Sequence, residues 1–445
     1  MAVPDHFGYR RMDSWHAWFV TCMSFLIYVI SGGVCYTGGI LLPELMVSFP
    51  DSDEASIALV ISMTNGMMLF SALYAGCFCE VFGWRKVCIA GSLMISVGYF
   101  SSVFATNVPT LYFTYGIVIG VGCGFQFLPC IVIIQRYFTE RRTLATSIVA
   151  SGSSVGVFIF AVLMRKIIDE FAWRGAILIM AGITLNAVPL AMTLVAPLDS
   201  EKPPDTDTEN DVKDISEEKS DNTKSFLSSI KELLRKLKEV ALTLLKSGRD
   251  LTEPKFSLLV IAQFLKATES AVPYVMLPMK LLALEYTKWQ VATLVAILGV
   301  GDFVGRLLVG VQSAICGFNR IAFYTAAFFI AGFAEVSSGF LSNYYGLCAS
   351  AFISALCSGI FISSTPPILV DLIGVDRVPR SYGLVCTAQG IGNLIGLPLQ
   401  AVIYEVSGNI DIPFYVCGCF PVLGGFLMIF VFFLQRKAKV VQVQS

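Results

Sequence analysis

The sequence predicts an all-α membrane protein whose twelve transmembrane helices form two six-helix halves. Composition is the first reason. Of 445 residues, 56% are hydrophobic and 14% are charged, whereas a soluble domain carries about 25% charged residues. The second is where the charges lie, since residues 199–253 hold 24 of the 63 charged side chains and so form one polar insert in an apolar chain. The third is the recurrence of apolar runs long enough to span a bilayer, which takes about 20 residues per helix. They fall at roughly 14–47, 55–80, 87–105, 108–135, 143–165 and 173–196, and again at 256–282, 289–313, 320–340, 344–370, 381–405 and 412–434.

Six runs precede the insert and six follow it, so residues 1–197 form one half, 198–253 a linker and 254–445 the other half with a short tail. The opening MAVPDHFGYRR lacks a secretory n-region and a small-residue cleavage site, so the first span is expected to be retained as a signal anchor. Lys and Arg in the short loops set the orientation. With the N-terminus inside, thirteen of them, from Arg10 to Lys439, face the cytoplasm, against Arg165, Lys166, Arg174, Lys280 and Lys288 outside. Both termini are therefore expected in the cytoplasm, and the plasma membrane is the preferred location. In the linker, EKPPDTDTENDVKDISEEKSDNTK has the composition of a disordered segment. By contrast, 226–246 repeats its apolar residues at helical spacing (Ile230, Leu233, Leu234, Leu237, Val240, Ala241, Leu244), an amphipathic helix for the inner leaflet or the underside of the bundle.

Several functions are excluded. A net charge of -1 gives no basic field for nucleic acid. The 13 cysteines are scattered through apolar runs without zinc or thioredoxin spacing, and both histidines, His6 and His16, precede the first hydrophobic centre. Any proton-linked step must therefore use a carboxylate. Neither a Ser-His arrangement nor catalytic carboxylate spacing occurs, so no enzyme and no cofactor is expected.

An internal repeat gives an independent check on the two halves. Between spans two and three stands GCFCEVFGWRK, with Gly76, Glu80, Gly83, Arg85 and Lys86; between spans eight and nine stands GVQSAICGFNR, with Gly310, Gly317 and Arg320. Glycines allow close helix crossings and tight turns, while the basic residues can meet helix C-termini or acidic side chains, so these positions are read as a conformational hinge or lock. The first segment resembles the loop 2/3 signature of the major facilitator superfamily, with Glu80 where aspartate is usual. More narrowly, MDSWHAW (12–18), RYFTERRTLATSIVASGSSVG (136–156), VPYVMLP (272–278), VDLIGVDR (370–377) and the IGLPLQAVIYEVSGNIDIPFYVCG segment are similar to the monocarboxylate transporter family, whose fold is the twelve-helix major facilitator bundle.

Charges at membrane depth are the candidate site, because each costs about 2.5–3.5 kcal/mol near the bilayer centre. All five lie in the second half: Lys266 and Glu269 in span seven, Asp302 and Arg306 in span eight, Glu335 in span nine. Asp302 and Arg306 are four apart and share a helix face. At the repeat offset the first half has Met68 and Ala72 instead, so the pair is not repeat scaffolding. Arg306 offers a permanent planar cation for a carboxylate, and Asp302 can be neutralised by a proton. A structural ion pair is the other reading. The resemblance implies the first one, since proton-linked family members carry Asp and Arg here as proton acceptor and anion anchor.

Those members also place a lysine in the first span. This chain has none before Lys86, and the slot falls near Tyr36, whose hydroxyl suits a zwitterion, an aromatic acid or a neutral metabolite as well as a small acid. Lys266 either supplies the absent cation or neutralises Glu269, which is the second candidate proton-coupling residue; Glu335 is read as structural. By resemblance, Arg142, Phe361 and Ser364 are candidate lining residues. The expected activity is alternating-access transport of monocarboxylates, proton-coupled through Asp302 and Arg306. The alternatives are proton-independent transport of a larger amphipathic solute, or a non-transporting sensor of the same fold. The partners implied are a small organic acid, protons, the lipid bilayer and, as for some family members, a single-span immunoglobulin-type glycoprotein.

Overall fold

The computed structural model of the protein describes residues 14–36, 38–50, 54–195, 235–236, 238–244, 246, 248–270, 272–315 and 319–444. Among them every regular element is helical, and the elements assemble into twelve spans. Span one is Trp15–Tyr36 continued by Gly38–Ser48. Span two, Glu54–Phe82, passes to span three, Trp84–Val103, through the single residue Gly83. Its φ of +85° is a left-handed conformation that a Cβ would strain, so the signature glycine lets the chain reverse within one residue. Span four opens at Val108–Leu111, where the Asn107 side chain accepts from the Thr110 amide at 3.0 Å, and continues through the π-helical Tyr112–Ile119 into Gly120–Tyr137. Spans five and six run together as Arg142–Leu185 and are separated by Ala172, whose φ of 55° and ψ of 175° turn the chain; Ala187–Met192 completes the half.

The second half begins with Pro254–Glu269, where proline at the first turn forfeits no helical hydrogen bond. Span seven is then interrupted by the π-helical Val272–Met276 and ends with Leu277–Ala283. Pro273 explains the interruption, since it has no N–H to donate and its ring crowds the preceding turn. Span eight is Lys288–Ile315, and span nine is Arg320–Phe340, capped by the Asn319 side chain. Span ten is Tyr344–Ile373, closed by Gly374 at φ +83°, and span eleven is Val378–Ser407. Span twelve, Ile412–Gln444, continues past the 434 expected from hydropathy.

Nine helical stretches among the described residues are apolar and long enough to cross a membrane, and one of them, Arg142–Met192, holds two spans. Spans seven and eleven complete the twelve. The first of these is broken and carries Lys266 and Glu269, and the second opens with Arg380.

The halves meet chiefly through two helix pairs, span two against eleven and span five against eight. Advancing two to eight and five to eleven turns one pair into the other, as expected of a duplicated chain. Across the first pair Gly76 abuts the Pro379 carbonyl, and any side chain there would force the helices apart. Gly310 makes the corresponding approach, with space for a Cβ only 3.0 Å from that of Ser147.

Of the amphipathic helix, 226–234 lie outside the described residues; 235–236, 238–244 and 246 are helical. It sits under the bundle, with the Lys236 ammonium 5.9 Å from the Phe82 ring and Val240 buried.

Candidate functional site

Asp302 and Arg306 lie at the contact between the halves. Arg306 Nη2 is 2.7 Å from Asp302 Oδ2, and the residues are 5% and 9% exposed respectively. Span eight carries them against span five. Arg306 Nη1 donates to the Ala150 carbonyl at 2.5 Å and to Ser153 Oγ, while Ser154 Oγ donates to Asp302 Oδ2 at 2.9 Å. Close packing of spans eight and ten fixes this height, because Gly359 lies directly on the Asp302 carbonyl and Gly305 on that of Leu356. A buried guanidinium needs both a counter-ion and filled hydrogen bonds. Asp302 supplies the first, and span five part of the second. The pair is therefore a clasp between halves as well as an ion pair within one helix.

Three aromatic side chains from other spans pack together. Tyr28 donates to the Phe127 carbonyl at 3.1 Å, and Phe127 stacks on Tyr382 at 6.3 Å, so spans one, four and eleven meet there. Further into the second half is a buried polar chain. Gln389 Nε2 donates to Gln263 Oε1 at 2.9 Å, Gln263 Nε2 donates to Thr365 Oγ1 at 2.9 Å and to the Tyr324 hydroxyl, and Thr365 donates to the Phe361 carbonyl at 2.6 Å.

The remaining sequence-derived candidates are dispersed. Phe361 is buried against Phe328 and Tyr324 at 4.5 and 5.3 Å, with the Lys266 ammonium 5.6 Å from its ring. Ser364 is buried beside it on span ten. Lys266 Nζ is also 3.4 Å from Ser358 Oγ. Arg142 donates through Nε to the Gln135 carbonyl at 3.1 Å and to that of Phe138, binding the start of span five to the end of span four. Tyr36 ends the first helix of span one, but its side chain lies outside the described residues, as does Gly317.

Of the signature positions, Glu80 joins an ion-pair cluster between the halves at one end of the bundle. Glu80 Oε2 of the first half is 3.7 Å from Arg380 of the second, and Arg136 is 3.4 Å from Asp376. Asp250, just before span seven, is buried there and accepts from Arg380 Nε at 2.7 Å and from Ser381 Oγ at 3.2 Å. Arg320 pairs with Asp371 at 3.0 Å within the second half, whereas Arg85 and Lys86 are exposed. Sequence reasoning missed Ser153, Ser154, Tyr28, Tyr382 and Asp250. The serines stand in the GSSVG run that carried the resemblance, and their spacing showed only that they follow Ala150 by a helical turn.

Twelve helical spans in two reciprocal halves, with the Gly83 turn and inter-half ion pairs at one end, define a class, and the comparisons agree. The Major Facilitator Superfamily model matches residues 24–248 and 259–445, and the chain belongs to that superfamily. Within it, the relatives are monocarboxylate transporters, the family the sequence resembles. Monocarboxylate transporter 14 of Homo sapiens is 27% identical, covering 93% of this chain and 90% of its own. Monocarboxylate transporter 9 of Gallus gallus is 26% identical, covering 95% and 94%. Among solved structures, the E. coli fucose:proton symporter FucP superimposes with a TM-score of 0.65 at 18% identity, covering 93% of this chain and 98% of that one, which bears on the fold alone. The protein is thus a multi-pass membrane transporter and not an enzyme.

Proposed function

We propose that the protein carries monocarboxylates or closely related organic anions by alternating access, with Arg306 as the anion's anchor and Asp302 as its titratable counter-ion. The observation that carries this reading is the Arg306 guanidinium, buried where the halves meet and divided between Asp302 and span five. Arg is permanently charged and fork-shaped, so a carboxylate can replace either set of contacts without further desolvation of the cation. Protonating Asp302 removes the internal competitor. On the orientation given by Lys and Arg, the Glu80/Arg380/Asp250 lock closes the cytoplasmic side.

One observation favours a larger, proton-independent solute. The cation expected in span one is absent, and Tyr28, Phe127 and Tyr382 of spans one, four and eleven form an aromatic cluster that bridges the halves, a surface suited to an aromatic acid or zwitterion. Uptake of a labelled panel (short monocarboxylates, ketone bodies, aromatic amino acids, creatine-like zwitterions) at two outside pH values separates the readings. Arg306→Ala is expected to abolish uptake of whichever solute is carried while leaving surface expression intact. Normal uptake by that variant would refute the assignment, and no uptake across the panel by the natural protein would favour a sensor.

A further inference from the structure

The buried polar chain of the second half has a direction, and a backbone group sets it. The Phe361 carbonyl can only accept, and Thr365 Oγ1 donates to it at 2.6 Å. A hydroxyl has one proton, so Thr365 can only accept from its other neighbours. The Tyr324 hydroxyl, 2.8 Å away, therefore donates to Thr365 and has no proton left for Gln263. Gln263 must turn its NH2 group to both, with Nε2 2.9 Å from Thr365 Oγ1, which leaves its Oε1 for span eleven. There Gln389 meets it with Nε2 at 2.9 Å. Gln263, Tyr324 and Thr365 are buried, whereas Gln389, the outer end, is half-exposed. Its Oε1 takes no hydrogen bond among the described residues.

We propose that Gln389 Oε1 is a second subsite for the carried solute, accepting a hydrogen bond from an uncharged O–H group, and that Thr365 and Gln263 are positioning residues that keep it an acceptor. The proposal rests on the transport reading for the solute's anionic end; the acceptor itself is a property of the second half. Its place in the bundle suits a moving solute. The next residue, Gly390, lies against Leu69 of span two, with space for a Cβ only 3.0 Å from that of Leu69, and Thr387 Oγ1 donates to the Phe70 carbonyl at 3.4 Å. Tyr382, two turns earlier on the same side of span eleven, stacks on Phe127 of the first half. Gln389 thus borders the seam between the halves, which alternating access opens and closes.

The surroundings choose the kind of donor. Lys266 stands three residues beyond Gln263 on the same side of span seven, with its ammonium 5.6 Å from the Phe361 ring. Like charges repel, so an ammonium is a poorer donor here than a hydroxyl. Glu269, further along the same helix, is buried and is not a member of the chain. An ether or oxo group has no proton and cannot use Oε1 at all. The favoured solute is then an organic anion that also carries an alcohol or phenol, its carboxylate held by Arg306 and its hydroxyl by Gln389.

Competition uptake by the purified full chain in proteoliposomes tests the subsite with matched pairs: aliphatic hydroxy acids and phenol-bearing acids, each against the methyl ether that lacks only the donor proton. The natural protein is expected to prefer the hydroxyl member about 3- to 10-fold, the worth of one hydrogen bond. Gln389→Met removes the acceptor and should erase the preference. Thr365→Val removes the fixed end, so that Tyr324 can donate to Gln263 Oε1 and the chain can reverse; the preference should again be lost. Tyr324→Phe deletes a polar group of the same chain but leaves Thr365 to orient Gln263, and should keep it, an outcome that a merely structural role would not give. Each variant is accepted only with the size-exclusion profile of the natural protein. No preference within any pair, a preference that survives Gln389→Met, or equal loss in Thr365→Val and Tyr324→Phe overturns the proposal. The same pairs run as uncharged amides have no carboxylate for Arg306, so a preference retained there supports the Gln389 subsite even where the anion-anchor reading fails.

Discussion

Replacing Asp250 by alanine is expected to loosen the closed end of the bundle. The Asp250 carboxylate is buried and accepts from Arg380 Nε at 2.7 Å and Ser381 Oγ at 3.2 Å, with Arg377 at 3.9 Å. Without it, Arg380 retains Glu80 at 3.7 Å, beyond hydrogen-bond distance. A hydrogen bond to a charged group contributes about 1.5–3 kcal/mol. The Arg380 side chain is only 15% exposed, so solvent screening reduces that figure little. Asp250 and Arg380 both lie on the second-half side, so their bond acts on the closed state by holding the Arg380 guanidinium toward Glu80 of the first half, and at about 1.4 kcal/mol per decade the open population rises by up to about 10- to 100-fold. Hydrogen–deuterium exchange in lipid nanodiscs measures it: peptides from 69–86 and 374–390 are expected to exchange at least tenfold faster than in the natural protein, with peptides from span nine unchanged. As control, Glu253→Gln breaks the 2.6 Å pair with Arg377, whose partners are 42% and 45% exposed; such a surface pair contributes about 0–1 kcal/mol. Equal exchange in Asp250→Ala and the natural protein, or equal acceleration by both variants, would refute the lock.

Other expectations follow from single contacts. Asp302→Asn keeps a side chain for Ser154 to bond but removes the titratable anion, so acceleration of uptake by outside acid should disappear; undiminished acceleration excludes Asp302 as the coupling group. Gly76→Leu drives a side chain into the Pro379 backbone and should trap the bundle with that end open, seen as fast exchange at 69–86 together with lost uptake. Lys280, buried with its ammonium 2.6 Å from the Ser338 carbonyl and 2.7 Å from Asp411, should cost about 1.5–3 kcal/mol on replacement by methionine, read as a lower melting temperature. Gly83→Ala places a Cβ at φ +85° and should cost about 1–2 kcal/mol by the same assay.

Much of this architecture is legible in the sequence because a bilayer demands long apolar runs, and the runs survive as helices within a few residues of where hydropathy ends them, span twelve excepted, which runs ten residues further. The Asp302/Arg306 pair was equally plain, since four residues is one helical turn. What it touches was not. Ser154 meets Asp302 across 148 positions, and no local period reports such a contact. Asp250 was hidden differently, as one acid among the 24 charges of 199–253, where composition suggests solvent and not a buried acceptor.

The Ala150 carbonyl on Arg306 has a further consequence. A backbone acceptor cannot be deleted by exchanging its side chain, so the first half competes for that nitrogen whenever the halves are packed as here. On the anion-anchor reading, the carrier is occupied by itself when empty, and an arriving solute displaces a bond instead of filling a gap. Apparent affinity falls by the fraction of time Arg306 is so engaged, and release is helped by the same contact reforming. Such a protein is suited to abundant solutes and rapid turnover and poorly suited to scavenging traces.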